Sequence, residues 1–364
     1  MKRKSAIAVF TEHYNATYFI NFAAPLAHSP TQLLARSGDE IDAISRDALI
    51  DALELDTDGH EVRAAVLSRY LGPHAESILS FYRTQSIPVF FHLDDWLFGL
   101  PDDMEERYRV RYDARHTARL DEFLGRVDAI LCSTPYLAGQ MLSRSPQHTV
   151  RTLSGVCFQP QPGMSTAFKA RACRIKRRLQ HLNQVTIGYA GSSSHSRDMQ
   201  LIEPALARLM AERENLHFHC FGLPAPEALR RRWANRVQTI GYTRDYPGYL
   251  QSLYELGWDI GLGPLIDDEF NRCKTATKLV EYASCAVPAL CSDVEPYRRV
   301  FGQDSNSLVA PSDWYDALRL WLDRPALRRE SLARARQRLR GRSPYAAAEE
   351  LLTALSPVLP RESN

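Results

Sequence analysis

Lysine is nearly missing from this chain: of 45 basic side chains, 39 are Arg and only six are Lys, at positions 2, 4, 169, 176, 274 and 278. A chain that uses Arg by default thus spends two rare ammonium groups at Lys274 and Lys278, one helical turn apart. Paired cysteines are missing too. The seven Cys stand singly at 132, 157, 173, 220, 273, 285 and 291, without CxxC spacing, which argues against a zinc module or a disulfide scaffold and for reduced thiols. No apolar stretch approaches the ~20 residues of a membrane span. The apolar run after the basic start, Ala6 to Phe10, is too short for a secretory signal core. A formal charge of +2 is too small to point to bulk nucleic-acid binding. Internal repeats and low-complexity tracts are lacking as well, so neither a solenoid nor a disordered chain fits.

What is present is the composition of a folded protein, 45% apolar and 24% charged over 364 residues, long enough for two domains. In the second half, apolar strands alternate with helices of ordinary length: "VTIGYAGS", "LHFHCFG", "VQTIGYT", "WDIGLGPL", "VPALCSD" and "SLVAP" as strands, with helices such as "YPGYLQSLYELG" and "TATKLVEYASCA" between them. Strands apolar almost throughout predict a parallel sheet covered on both faces, a doubly wound α/β domain. The first half shows the same signs in "SAIAVF", "IPVFFHLD" and "VDAILCST", the last followed by helix "PYLAGQMLSR", but residues 29–80 give no strand order. The Pro, Gly and basic residues of 159–184 mark the interdomain connection. The C-terminal stretch reads as helices broken at Pro325 and Pro344.

Ligands of an open parallel sheet bind outside the carboxyl ends of its strands. Three stretches lie at such ends. "GYAGSSSHSRDM" offers small residues and a helix N-terminus to an anion, without either phosphate-loop spacing; a serine-capped helix start fits Ser192 and Ser193 equally well, and His195 suits a solvent-facing loop. Lys274, Lys278 and Glu281 share one helical face, where two ammonium groups suit phosphate oxygens and a carboxylate suits a ribose diol; the alternative is a surface ion pair between Lys278 and Glu281. "FFHLDDWLFGLPDD" ends an apolar strand in Asp94 and Asp95, which could bind sugar hydroxyls, hold a divalent metal, or merely cap a turn.

With "IGYAGSSSHSRD", "TIGYT", "WDIGLGPLIDDEFNRCKTATKLVEYASCAVPALCSDVEPYR" and the helical tail, the second half resembles the donor-binding domain of family-4-type retaining glycosyltransferases. "FHLDDWLFGLP" and "VDAILCSTPYLAGQM" resemble a bacterial subgroup that builds surface polysaccharides such as O-antigen, while residues 11–80 add almost nothing. The resemblance implies a GT-B fold: two Rossmann-like domains facing each other across a cleft, an acceptor domain at 1–165, a nucleotide-sugar domain at 166–340, and a C-terminal helix at 341–364 returning to the first. It implies that Glu281 binds the donor ribose and that Asn271, Arg272, Lys274, Thr275 and Lys278 contact the diphosphate and sugar. Gly191, Ser192, Ser193 and His195 would close over the phosphates, and Gly241 and Tyr242 would lie by the base. Lys274, Asp94 and Asp95 would serve the transfer itself, with no metal and no cofactor. Where the family usually carries a second glutamate, this chain has Cys273.

The expected activity is retaining transfer from a GDP-, UDP- or dTDP-sugar to a saccharide or lipid-linked acceptor, in the cytoplasm. Residues 169–178 carry six basic groups and no acid, and fit either a solvated linker or a peripheral contact near the cleft with anionic headgroups of the inner membrane face. Two other readings stay open at this point: another nucleotide-sugar activity on the same scaffold, such as epimerisation, and a nucleotide-binding pseudoenzyme within a polysaccharide assembly complex.

Overall fold

The computed structural model describes residues 3–160, 167–180, 183–192, 196–241, 243, 245–302 and 306–356. Two six-stranded sheets, all of whose strand pairs are parallel, organise it. The first holds β1 (Lys4–Thr11), β2 (Gln32–Ser37), β3 (His60–Ser68), β4 (Val89–Leu93), β5 (Ala129–Cys132) and β6 (Val150–Thr152), in the order β2-β1-β3-β4-β5-β6. The second holds β7 (Val185–Ala190), β8 (Leu216–Phe221), β9 (Val237–Ile240), β10 (Ile260–Gly263), β11 (Ala289–Ser292) and β12 (Leu308–Val309), in the order β12-β11-β10-β7-β8-β9. The central strands β4, β5, β10 and β11 are buried along their whole length, as strands covered on both faces must be.

The strands absent from the sequence reading have identifiable reasons. The edge strand β2 is only half-buried, and β3 starts with exposed charge at Glu61 and Arg63 before becoming apolar. β6 has three residues. After helix Trp314–Asp323, the helices ending the chain start where the prolines stand: Pro325–Leu339, then Pro344–Ala354, the last capped by Ser343. Leu351, Ala354 and Leu355 at the end of that last helix pack with Ile7, Val9, Phe22 and Phe90, and Arg151 donates to the carbonyls of Ala354 and Ser356 at 2.5 and 2.6 Å. The C-terminal helix therefore covers one face of the first sheet. The basic connection contains a regular helix, Ala167–Gln180.

The domains meet through the short helix Glu269–Arg272. Phe270 and Cys273 are buried within the first domain's core, and the hydroxyl of Thr134, which also caps helix Pro135–Arg144, donates to the carbonyl of Cys273 at 2.8 Å. Nearby, Gly155 has φ +58°, and a Cβ there would stand 2.4 Å from the Thr275 side chain and 2.7 Å from the Ser133 carbonyl. Only glycine fits where the chain crosses between domains.

Candidate active site

The order of the second sheet reverses direction at β7, which lies between β10 and β8, and the crevice of a doubly wound sheet opens outside such a switch point. Helix Thr277–Ser284 supplies one wall of that crevice. Leu279, Val280, Tyr282 and Ala283 lock it into the core, which turns Lys278 and Glu281 together toward the cavity. Both are buried, at 9% and 6% exposure, which sets aside a surface ion pair. Burial pulls the Lys278 ammonium down to about 8, partly offset by Glu281 and Asp198. Burial likewise raises the Glu281 carboxyl, against the pull of Lys278 and the hydroxyls of Tyr249 and Tyr246. Tyr249 donates to Glu281 at 2.9 Å. Gly191 passes close over this pair: a Cβ there would stand 2.7 Å from the Tyr189 hydroxyl and 3.0 Å from Lys278 Nζ.

The facing wall is built at the ends of β3 and β4. Arg69 adopts φ +56°, a left-handed conformation that a non-glycine residue holds only under constraint. The constraint is its guanidinium, which pairs with Asp94 at 3.0 Å and Asp95 at 3.2 Å, donates to the Tyr112 hydroxyl and lies 4.0 Å from Glu12. Those acids hold its charge well above the already high arginine value against the opposing effect of burial. Thr17 donates a short hydrogen bond to Asp94. Beneath them His92 spans Ser68 at 2.9 Å and Ser133 at 2.8 Å; complete burial pushes its pKa down to about 4, so it is a neutral strut joining three strand ends.

Three contacts draw the walls together. Lys274 Nζ reaches across to Asp95 at 3.0 Å, Arg197 joins Asp103 of the first domain at 2.9 Å to Asp268 of the second at 2.5 Å, and Phe19 stacks on Tyr246 at 5.8 Å. They enclose a cavity of about 360 Å³, within the range that holds a small-molecule ligand.

Of the residues singled out from the sequence, Gly191, Ser192, Lys274, Thr275, Lys278, Glu281, Asp94 and Asp95 all line this cavity. Asn271 does not: it is buried, with its amide donating to Asp198 at 3.2 Å and to the Ile266 carbonyl at 3.0 Å, which shapes the loop ahead of Lys274. Arg272 turns outward to Asp267 at 2.7 and 3.1 Å. Gly241 is exposed and Thr243 lines the cavity instead. Ser193, His195 and Tyr242 lie outside the described residues. Cys273 is fully buried and does not line the cavity; burial raises its thiol to about 12. Sequence reasoning missed Thr17, Arg69, Tyr112, Tyr246 and Tyr249. Only the tyrosines carried a signal, an i, i+3 pair at the start of a helix that follows a strand end.

With this geometry in place, the likeness to known proteins can be stated. The architecture is that of GT-B glycosyltransferase structures. Residues 197–353 match a family model described as glycosyl transferase-like. No curated protein matches the chain. Among solved structures, the chain is similar to S. aureus TarM in complex with Fondaparinux, alpha-GlcNAc-glycerol and UDP: 11% identity, TM-score 0.57, 80% of this chain and 55% of that one. The chain thus spans just over half the length of TarM. It is also similar to a trehalose-6-phosphate protein from E. coli bound with UDP-2-fluoro glucose, at 12% identity and TM-score 0.61, over 98% of this chain and 100% of that one. A third is an alpha-glucosyltransferase in complex with UDP and a 13-mer DNA, at 10% identity and TM-score 0.63, over 97% of this chain and 99% of that one.

Proposed function

We propose that the protein is a glycosyltransferase of the family-4 type, moving a sugar from a nucleotide-sugar donor to a saccharide or lipid-linked acceptor with retention of configuration. The observation that carries this reading is a buried ammonium and a buried carboxylate, Lys278 and Glu281, on one helix face beneath a glycine at the switch point. Burying such charges is unfavourable unless they are paired or hydrogen-bonded, and a perturbed pair that also lines a cleft suits a polar ligand. A nucleoside diphosphate is such a ligand: its ribose hydroxyls donate to Glu281, and its phosphates accept from Lys278 where Gly191, whose own N–H is held by the Phe221 carbonyl at 3.0 Å, lets the chain pass close. We take UDP as the first nucleotide to test, because the three similar structures hold UDP or a UDP-sugar.

In the transfer, the bond between the anomeric carbon and the β-phosphate oxygen breaks and a bond from that carbon to the acceptor hydroxyl oxygen forms on the same face. The acceptor proton goes to an oxygen of the departing diphosphate. Fixed cations supply the stabilisation this step needs, with Lys278 inside the second domain and Lys274 at the cleft. Among the described residues the carboxylates lining the cavity are Asp94, Asp95 and Glu281, so Asp95, tethered to Lys274, is the acid that faces the sugar in place of the family's absent glutamate. The setting we propose is cytoplasmic, in surface polysaccharide synthesis such as O-antigen. No helix among the described residues is long and apolar enough to cross a membrane.

Incubation with labelled UDP-sugars, with and without a lipid-linked saccharide acceptor, tests this function. Transfer to acceptor is the expected result; sugar conversion without acceptor, or binding of UDP with no turnover of any sugar, would overturn it.

Two further results are expected. Glu281→Ala should weaken UDP binding by roughly 1.5–3 kcal/mol, the range for a hydrogen-bonded charged partner, while the fold survives, as calorimetry and thermal unfolding will show. Turnover should persist in excess EDTA. Asp94 and Asp95 are already held by Arg69, Thr17 and Lys274, and among the described residues no three of His, Cys, Asp and Glu come together to hold a metal. Loss of activity in EDTA, restored by magnesium or manganese, would make the aspartates a metal site.

A further inference from the structure

The basic segment 169–178 does not border the cleft. It lies in helix Ala167–Gln180, at the opposite end of the second sheet: Thr186, near the start of β7, lines a cavity shared with this helix, whereas Ala190 at the end of β7 lines the cleft. Four residues of extended strand separate the two, about 13 Å.

This second cavity, about 600 Å³, is walled by Arg174, Arg177 and Arg178 of the helix and by Asn235 and Arg236 before β9, with Asp259 at its edge. Arg174 anchors the helix, donating to the carbonyls of Cys285 and Ala286 at 2.6 and 2.9 Å, and Arg236 donates to the Arg213 carbonyl at 2.7 Å. Arg177 and Arg178 form no hydrogen bond or ion pair with the described residues. Asp259 cannot neutralise the cavity, because it is shared with Arg328 at 3.8 Å and also accepts from the backbone of Thr186.

The outer face of the same helix is apolar where it need not be. Ile175 and Leu179, one turn apart, are 59% and 63% exposed. Arg171 and Arg178 flank them on one side and Lys176 on the other, all three exposed. Two aliphatic side chains between basic borders, on a helix whose other side walls a basic cavity, are the chemistry of a surface helix on an anionic bilayer. A soluble anion would account for the cavity but not for Ile175 and Leu179.

We propose that this face docks on an anionic phospholipid bilayer, with Ile175 and Leu179 entering the headgroup boundary and lipid phosphates met by the flanking Arg171, Arg178 and Lys176. This gives the peripheral contact a site and an orientation. Because the site lies at the far end of the sheet, docking leaves the donor pocket free, and the proposal stands or falls independently of sugar transfer.

Cosedimentation of the full chain tests it. With phosphatidylglycerol-containing vesicles the protein should pellet at low salt, remain in the supernatant with phosphatidylcholine alone, and be released by roughly 0.5 M salt. Arg171→Gln with Arg178→Gln should lower the partition about 30-fold, at about 1 kcal/mol per basic group. Ile175→Ser with Leu179→Ser, which leaves the charge intact, should lower it about tenfold or more. The UDP-induced thermal shift should be the same in both variants as in the native chain, which shows them folded. The proposal is overturned if the native protein stays in the supernatant at low salt, if the serine pair pellets like the native chain, or if vesicles do not bind while inorganic pyrophosphate raises the melting temperature of the native chain but not of an Arg177→Gln variant. The last outcome would make the cavity a soluble-anion site.

Discussion

The Lys278→Met protein should bind UDP at least tenfold more weakly than the native chain, and its transfer rate should fall by about 10²–10³, the loss seen when one preorganised donor to a developing charge is removed. The effect is large because Lys278 is buried: a cation excluded from water acts on the departing diphosphate through a low effective dielectric. The fold should survive, because the substitution removes a desolvated charge and keeps most of the volume. The pH dependence has a definite sign. Folding lowers this ammonium from 10.5 to about 8, so between those values the unfolded chain holds a proton that the folded protein has lost. The contribution of Lys278 to stability of the unliganded protein therefore rises with pH through that window. Its contribution to UDP binding runs the other way, because the neutral amine no longer offsets the phosphates, and affinity should fall above about 8 by up to tenfold per pH unit. Titration calorimetry from pH 7 to 9.5 checks this. A Lys278→Met variant with the native affinity, or one that keeps the native pH profile, would remove Lys278 from the phosphate site.

The second large effect concerns the first domain. Asp94→Ala should lower stability by about 3 kcal/mol, toward the low end of the 3–5 kcal/mol for breaking a buried ion pair, because Asp95 and Glu12 still face Arg69. Arg69 is the residue at risk, since it is largely buried, left-handed in backbone, and held by the acids around it. For a domain of this size the melting temperature should drop by roughly 6–12 °C. Asp95→Ala should behave differently. It frees Lys274 and removes the acid facing the sugar, so transfer should fall while the melting temperature moves much less. If both variants lose activity at unchanged stability, Asp94 too acts on substrate directly; if Asp95→Ala melts as early as Asp94→Ala, both acids are structural.

Much of this site could be read from the chain, and the residues show why. Lys274, Lys278 and Glu281 announce themselves through rarity and helical spacing, and a helix between two apolar strands can present them at only one end of a parallel sheet. Asp94 and Asp95 follow an apolar strand directly. Arg69 could not be found in this way: in a chain with 39 Arg it looks like any other, and its role depends on acids 25 and 26 positions away and a tyrosine 43 away. Asn271 and Arg272 carry the right chemistry in the right stretch, but the turn that delivers Lys274 to the cleft directs one inward to Asp198 and the other out to Asp267.

The sequence by itself determined the class of the fold and the kind of the elements in the second half, because strand and helix periods are set by neighbours within a turn and Pro325 and Pro344 act on their own backbone. Tertiary structure alone decided which charges are paid out to solvent and which are enclosed. Lys274 meets an aspartate 179 residues away, Cys273 is sealed in the core of the other domain, and the basic helix lies at the far end of the sheet from the cleft. Burial and ion pairing depend on what the rest of the chain brings alongside, and no local period records that.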